Sequence, residues 1–251
     1  MFTTEALLIG ALASFVVGLS KTGLPGSGLL AIPLFAMVFD GRLIPGATLP
    51  ILLVADLFAI AWYRRHTRWD LLRPLVGWVG VGYAAGIAFF IAVGSATRAI
   101  EVMLGIIVIV IVTLQAWRMV RRVGATPTSR TATAAYGTSG GFTTFVANAA
   151  GPIMNTYLIG LGLPKHELVG TSAWFYFAVN LGKVPFYVAL GELTSGGRFF
   201  TVDGLVFDAI MVPAIVVGVI SGRALFHRIP QQVFLTAVLV MSAAGAVRLL
   251  W

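Results

Sequence analysis

Apolar residues run along this chain in long blocks, and polar residues gather in the short gaps between them. Ten blocks can be marked, at about 5–20, 28–39, 43–63, 71–93, 97–117, 132–147, 152–163, 166–190, 204–222 and 230–250. Most approach the ~20 residues with which a helix crosses a hydrocarbon core of ~30 Å. Blocks 28–39 and 152–163 do not, since at 1.5 Å per residue each spans only ~18 Å. Both follow Gly- and Pro-containing breaks, "TGLPGSG" and "NAAGP". Irregular backbone at membrane depth is tolerated only where it is buried in protein or lines a wet cavity. The two breaks therefore predict an interior site.

The order of blocks repeats. A broken pair followed by three full spans occupies residues 1–122, a basic linker covers 123–131, and the same order returns in 132–251. Thr48 and Thr171 fall at similar places after the two breaks, and Asp70 and Asp203 open the fourth block of each half. Glycines at close spacing follow each of these acids, at Gly77, Gly80, Gly82 and Gly86 and at Gly218 and Gly222. The pattern predicts an all-α polytopic membrane protein built of two inverted-topology repeats, each a broken or re-entrant helix pair followed by three transmembrane helices. Whether the short blocks re-enter or cross fully is left open by the sequence.

Composition agrees with a lipid environment. Hydrophobic residues make up 59% of the chain and charged residues 10%, with a mean hydropathy of +0.96. Soluble domains carry roughly a quarter charged residues. The net charge of +8 sits in short gaps, as Arg64, Arg65, Arg68 and Arg73, Arg118, Arg121, Arg122 and Arg130, and Arg223 and Arg228. That is the positive-inside pattern and not a nucleic-acid footprint. It places those loops in the cytoplasm and both termini on the periplasmic side, provided each half crosses an odd number of times. The start, "MFTTEALLIG", lacks a basic leader and reads as a first membrane segment. Cysteine is absent, and the three histidines show no metal-ligand spacing, so no metal or other cofactor is expected.

Candidate chemistry lies in the few polar residues inside the apolar blocks. There are three lysines, and Lys21 and Lys183 sit within or at the ends of such blocks. An intramembrane charge costs at least ~2.5–3.5 kcal/mol and marks a functional position by default. Two cations without neighbouring acids in sequence suit an anionic ligand, although Lys21 at an interface can also be explained by snorkelling. Helices restarting after the breaks offer free N–H groups and positive dipole ends to an anion. Thr22, Ser27, Asn148, Asn155 and Asn180 would add hydrogen bonds, with Ser20, Thr143, Thr144 and Tyr157 as further lining, while Gly23, Gly28 and Gly151 would allow close backbone approach. Ordinary interhelical hydrogen bonding explains any one of these polar residues equally well. Asp56, in "ILLVADLFAIAW", pairs with a lysine or carries a coupling proton. Asp208 and Glu101 read as acids snorkelling near span ends. "GLPGSG" lacks the Lys-Ser/Thr of a phosphate loop, and no catalytic grouping emerges.

The stretches "GLSKTGLPGSGLLAIPL", "NAAGPIMNTYL", "GTSAWFYFAVNLGKVPFY" and "SGRALFHRIP" together resemble the sulfite exporter TauE/SafE family of membrane transporters, through nearly the whole chain. The resemblance implies a bacterial inner-membrane permease of two related halves, exporting sulfite, sulfoacetate or other small sulfur-containing or organic anions. It carries over to the breaks Lys21–Gly28 and Asn148–Pro152, with Asn180 and Lys183; the common family form has further glycines where "SKTGLPGSG" stands. The expected partners are a small anion and the lipid bilayer, with a homodimer allowed and no nucleic acid. The function expected is secondary transport by alternating access. An anion channel, or an intramembrane enzyme or scaffold in sulfur metabolism, are the alternatives.

Overall fold

A computed structural model of the chain describes residues 2–22, 27–121, 129–225 and 231–251. The described residues form the helices α1 (Thr4–Thr22), α2 (Ala31–Phe35), α3 (Leu43–Tyr63), α4 (Trp69–Val93), α5 (Thr97–Arg121), α6 (Arg130–Ala147), α7 (Ala150–Gly160), α8 (Lys165–Leu193), α9 (Val202–Leu225) and α10 (Gln231–Leu250), with 3₁₀ turns at Ser27–Leu30 and Arg64–His66 and no strand among them. Each apolar block thus becomes a helix, because in lipid the backbone must satisfy its own hydrogen bonds. Among the described residues, α1, α3, α4, α5 and α9 are long and apolar enough to cross a membrane. The 29 residues of α8 reach further still, but this helix carries Asn180 and Lys183.

The two short blocks differ from each other. Block 152–163 becomes the 11-residue α7, about 16 Å long. Block 28–39 becomes a 3₁₀ turn, the five-residue α2 and a further turn that reverses at Gly41, where φ is +52°. Pro33 within α2 has no N–H to donate, which disfavours extending that helix.

Four helix pairs form the largest contacts: α1 along α9, α4 along α6, α5 along α10, and α3 along α8. The first two crossings are glycine-tight. A Cβ on Gly18 would lie 2.4 Å from the Ile215 carbonyl oxygen, and one on Gly218 would lie 2.2 Å from that of Phe15. On the other crossing the same holds for Gly82 against Thr138 at 2.3 Å and Gly141 against Val79 at 2.5 Å. Small residues let backbones approach where lipid gives no hydrophobic drive to associate. The outer faces are clad in exposed aliphatic side chains, among them Leu8, Val76, Ile91, Val206 and Ile220. Such a surface is stable only against lipid, and the chain is a multi-pass membrane protein.

Two buried ionisable side chains, Arg42 and Asp208, lie at the end of the bundle where α3 begins. Arg42 is 3% exposed and pairs with no acid among the described residues; it donates to the carbonyls of Phe90 (2.7 Å) and Gly197 (3.2 Å) and to the Thr194 hydroxyl (2.6 Å). Its guanidinium also lies over Phe90 and Phe199. Phe90 belongs to the last turn of α4, where a cation meets the negative end of the helix dipole. Asp208, expected to snorkel, is instead 6% exposed in α9, beside a cavity of about 10 Å³ walled by Phe39, Leu43 and Phe199. The segment 199–201 and the start of α3 close over it.

The glycine crossings give a direct test. Gly82→Ala should destabilise by about 1–3 kcal/mol through overpacking against α6. Gly77 on the same helix has nothing within 4 Å of an added Cβ, so Gly77→Ala should leave the thermal unfolding temperature unchanged or raise it. Equal effects of the two in detergent would show that α4 and α6 do not meet at Gly82.

Candidate functional site

The second break is built around Asn148. It adopts a left-handed backbone, φ 55° and ψ 28°, which Asn tolerates better than most residues. Its N–H reaches the Thr144 carbonyl at 3.0 Å and that of Ala149 reaches Thr143 at 3.2 Å, closing the end of α6. The chain then restarts as α7, whose N-cap Ala149 supplies no side-chain hydrogen bond. The first turn of α7 therefore presents backbone N–H groups that have no partner within the helix.

Lys183 locks this end from α8. It is fully buried and donates to the Thr144 carbonyl (3.0 Å), the Thr144 hydroxyl (3.2 Å) and Asn148 Oδ1. Three oxygens are the full complement of an ammonium. The Asn148 amide in turn donates to the Pro45 carbonyl at 2.9 Å, tying the break to α3.

The first break ends on Lys21, in the last turn of α1. Its Nζ lies 2.7 Å from Asp56 Oδ1, and Asn180 Nδ2 donates to the other carboxylate oxygen at 2.7 Å. Asp56 is fully buried and Lys21 nearly so. The ammonium also sits 4.5 Å from the ring centroid of Tyr176. The Tyr176 hydroxyl lies 2.9 Å from Asn155 Oδ1 and 3.2 Å from the Gly151 carbonyl, so α8 grips the first two turns of α7. A buried ion pair is poor value for stability, since desolvation offsets most of its attraction. Here the cation borders open space.

That space is a pair of small cavities. One, of about 50 Å³, lies between the breaks: Lys21 and Gly28 from the first, Asn148, Gly151 and Pro152 from the second, with Thr144, Asn155, Tyr176 and Asn180 around them. The other, also about 50 Å³, lies toward the start of α8, against Thr22, Ala59, Leu168 and Ser172. The two share Ser20, Lys21, Asn155 and Tyr176 as a common wall. Each holds a few waters' worth of room. A wider groove, about 540 Å³, separates α5 from α6 and α7 but contains no charged side chain.

The structure thus gathers Lys21, Gly28, Asn148, Gly151, Asn155 and Asn180 around one cavity, and Thr22 around its neighbour, where the Thr22 hydroxyl donates to the Val219 carbonyl at 2.7 Å. Ser27 is buried in the 3₁₀ turn and lines neither. Lys183 stands behind the cavity wall and fixes Asn148. Gly23 lies outside the described residues, as does most of the linker 123–131. Tyr157, expected in the lining, instead contacts the Thr133 hydroxyl at 3.0 Å and lines neither cavity. Tyr176 is the residue the sequence reading missed. It lies four positions before Asn180, on the same face of α8, and that spacing was the available signal.

Broken helices that meet at a cavity inside a membrane bundle are the arrangement in which many secondary transporters place their substrate sites. The family model for the sulfite exporter TauE/SafE matches residues 6–249, and the chain belongs to that family. Comparisons with curated proteins and with solved structures give no match.

The role of Asn148 can be split into backbone and side-chain parts. Asn148→Gly keeps the left-handed turn but orphans Lys183 and Pro45, at a cost of about 1–3 kcal/mol. Asn148→Ala should cost about 1 kcal/mol more, for the strain of placing Ala at positive φ. Thermal unfolding of both variants checks this; no loss in either would mean that Asn148 does not hold the break.

Proposed function

We propose that this chain is a secondary transporter that exports a small anion, sulfite or a related sulfur oxyanion or organosulfonate, across the bacterial inner membrane by alternating access. One observation carries the reading: the Lys21 ammonium walls a cavity that also takes in the start of α7 and the amides of Asn155 and Asn180. The anion would sit between Lys21 and the first N–H groups of α7, with both asparagines orienting it. Lys183 would act through its charge and by fixing Asn148. A negative-inside potential favours outward movement of an anion by ~2.3 kcal/mol per charge per 100 mV, so no nucleotide need drive it. Asp56, within the same cluster, is the candidate for coupling to a proton.

The inverted-repeat plan, with halves 1–122 and 132–251, belongs to the same proposal. Its support is reciprocal packing. The first helix of each half lies on the fourth helix of the other, α1 on α9 and α6 on α4, while the third and fifth helices pair with their own counterparts. Gly18 and Gly141, Gly28 and Gly151, and Thr48 and Thr171 recur at one constant interval along the chain. The halves are also unequally closed. α10 presses on α2 so closely that a Cβ on Gly245 would lie 2.4 Å from Pro33, whereas α5 meets α7 beside the apolar groove, where Gln115 Nε2 donates to the Pro152 carbonyl at 3.1 Å. Two halves able to exchange these arrangements would open the site to one side and then the other. Both termini then face the periplasm, as the arginine-bearing loops require.

Proteoliposomes loaded with sulfite test this reading. Lys21→Ala should lower efflux by about tenfold or more, the scale of one lost hydrogen bond to a charged group. Gly151 offers a cleaner probe, because an added Cβ meets nothing within 4 Å and would project into open space at the cavity. Gly151→Ala should fold at least as well as wild type, Ala being favoured over Gly in a helix by ~1 kcal/mol, and yet raise the half-saturating anion concentration. Wild-type efflux in both variants would remove the anion from this cavity.

A further inference from the structure

The ionisable groups around the cavity between the breaks are unequal in number, two lysines against one aspartate. Lys21 is the one charged side chain among the described residues lining either cavity, and Asp56 and Lys183 stand immediately behind the wall. Lys21 and Asp56 form a 2.7 Å pair and neutralise each other. Lys183 has no carboxylate partner among the described residues; its N–H groups meet a backbone carbonyl, a hydroxyl and an amide oxygen, the surroundings of an ammonium. With Lys183 protonated, the cluster carries one net positive charge, to which the start of α7 adds a partial one.

We propose that Asp56 sets the charge of the transported species, so that the site selects singly charged over doubly charged oxyanions. The inference rests on the reading of the cavity as the anion site and adds a property to it. One unit of negative charge entering the cavity brings the cluster to neutrality. A second leaves an uncompensated charge in a site walled by protein and lipid, where the effective dielectric constant is far below that of water. Asp56 cannot step aside to admit a dianion. It is fully buried and held by Lys21 and Asn180 at 2.7 Å each, and it lines neither of the two cavities. Sharing Lys21 is open to the substrate, because an ammonium has three N–H groups and Asp56 takes one. Asp56 is thus a built-in counter-anion whose presence reduces the site's appetite from two charges to one.

The test uses tetrahedral anions of similar size and different charge, at one fixed neutral pH. Methanesulfonate and perchlorate are the monoanions; sulfate and selenate are the dianions. Binding and uptake are measured with purified full-length protein and with proteoliposomes. Wild type should prefer the monoanions by about a hundredfold to a thousandfold, the scale of one unit charge ~4–6 Å away at an effective dielectric constant of about 20. Asp56→Asn should move that ratio toward the dianions by a similar factor, and Asp56→Glu should keep the wild-type ratio. Thermal unfolding shows whether Asp56→Asn is folded; if it is not, the wild-type ratio alone decides. Wild type that takes sulfate as readily as perchlorate removes the charge selection and leaves the anion site standing. A folded Asp56→Asn with an unchanged ratio does the same. Failure of every anion to bind wild type overturns the site and the selection together.

Discussion

A salt bridge placed where water is scarce organises this protein. Lys21 closes α1, Asp56 sits midway along α3, and Asn180 on α8 holds the far side of the carboxylate. Three helices distant in sequence are thereby fixed to one point. Removing either charge would leave the other buried and unpaired, a loss of about 3–5 kcal/mol in comparable sites. The tie constrains everything nearby: the ammonium must end over Tyr176, and Tyr176 must reach back to Asn155 and Gly151. The start of α7 is then held against the cavity from one side by Tyr176. From the other, Asn148 and Lys183 set the turn that precedes it.

The second break shows how local chemistry serves the same end. A left-handed Asn ends α6 without a glycine, which frees a side chain to accept from Lys183 and donate to Pro45. Glycine at that position would make the turn easily but could hold neither partner. Gly151, by contrast, packs against nothing, so its missing side chain serves the space in front of it and not the helix crossing. The glycines at the α1–α9 and α4–α6 crossings do the opposite job and let backbones touch.

Much of this was legible in the sequence. Block lengths and Gly/Pro breaks located the helices to within a few residues, since hydropathy dominates when lipid is the solvent. Lys21, Asp56, Asn180 and Lys183 stood out because a charge or amide in an apolar block is costly. What could not be read was who pairs with whom. Lys21 and Lys183 carry the same charge, yet one faces a cavity and the other is spent on the end of α6, a difference decided by α8 packing against α6. Arg42 falls in the short gap between two apolar blocks, and only the fold shows it buried among carbonyls at the end of α4. Asp208 seemed near enough to a span end to snorkel, until the segment 199–201 was found to cover it. Tyr176 was hidden because an aromatic in an apolar block is unremarkable until its hydroxyl finds partners.

The central claim is that an anion rests between Lys21 and the start of α7. A structure of the full-length protein with hydrogen selenite, located by the anomalous scattering of selenium, tests it most directly. The expected result is one selenium peak in the cavity between the breaks, within hydrogen-bonding reach of Lys21 Nζ and of the first backbone N–H groups of α7, with the Lys21–Asp56 pair intact. A peak elsewhere in the bundle, in protein shown to transport the same anion, would contradict it.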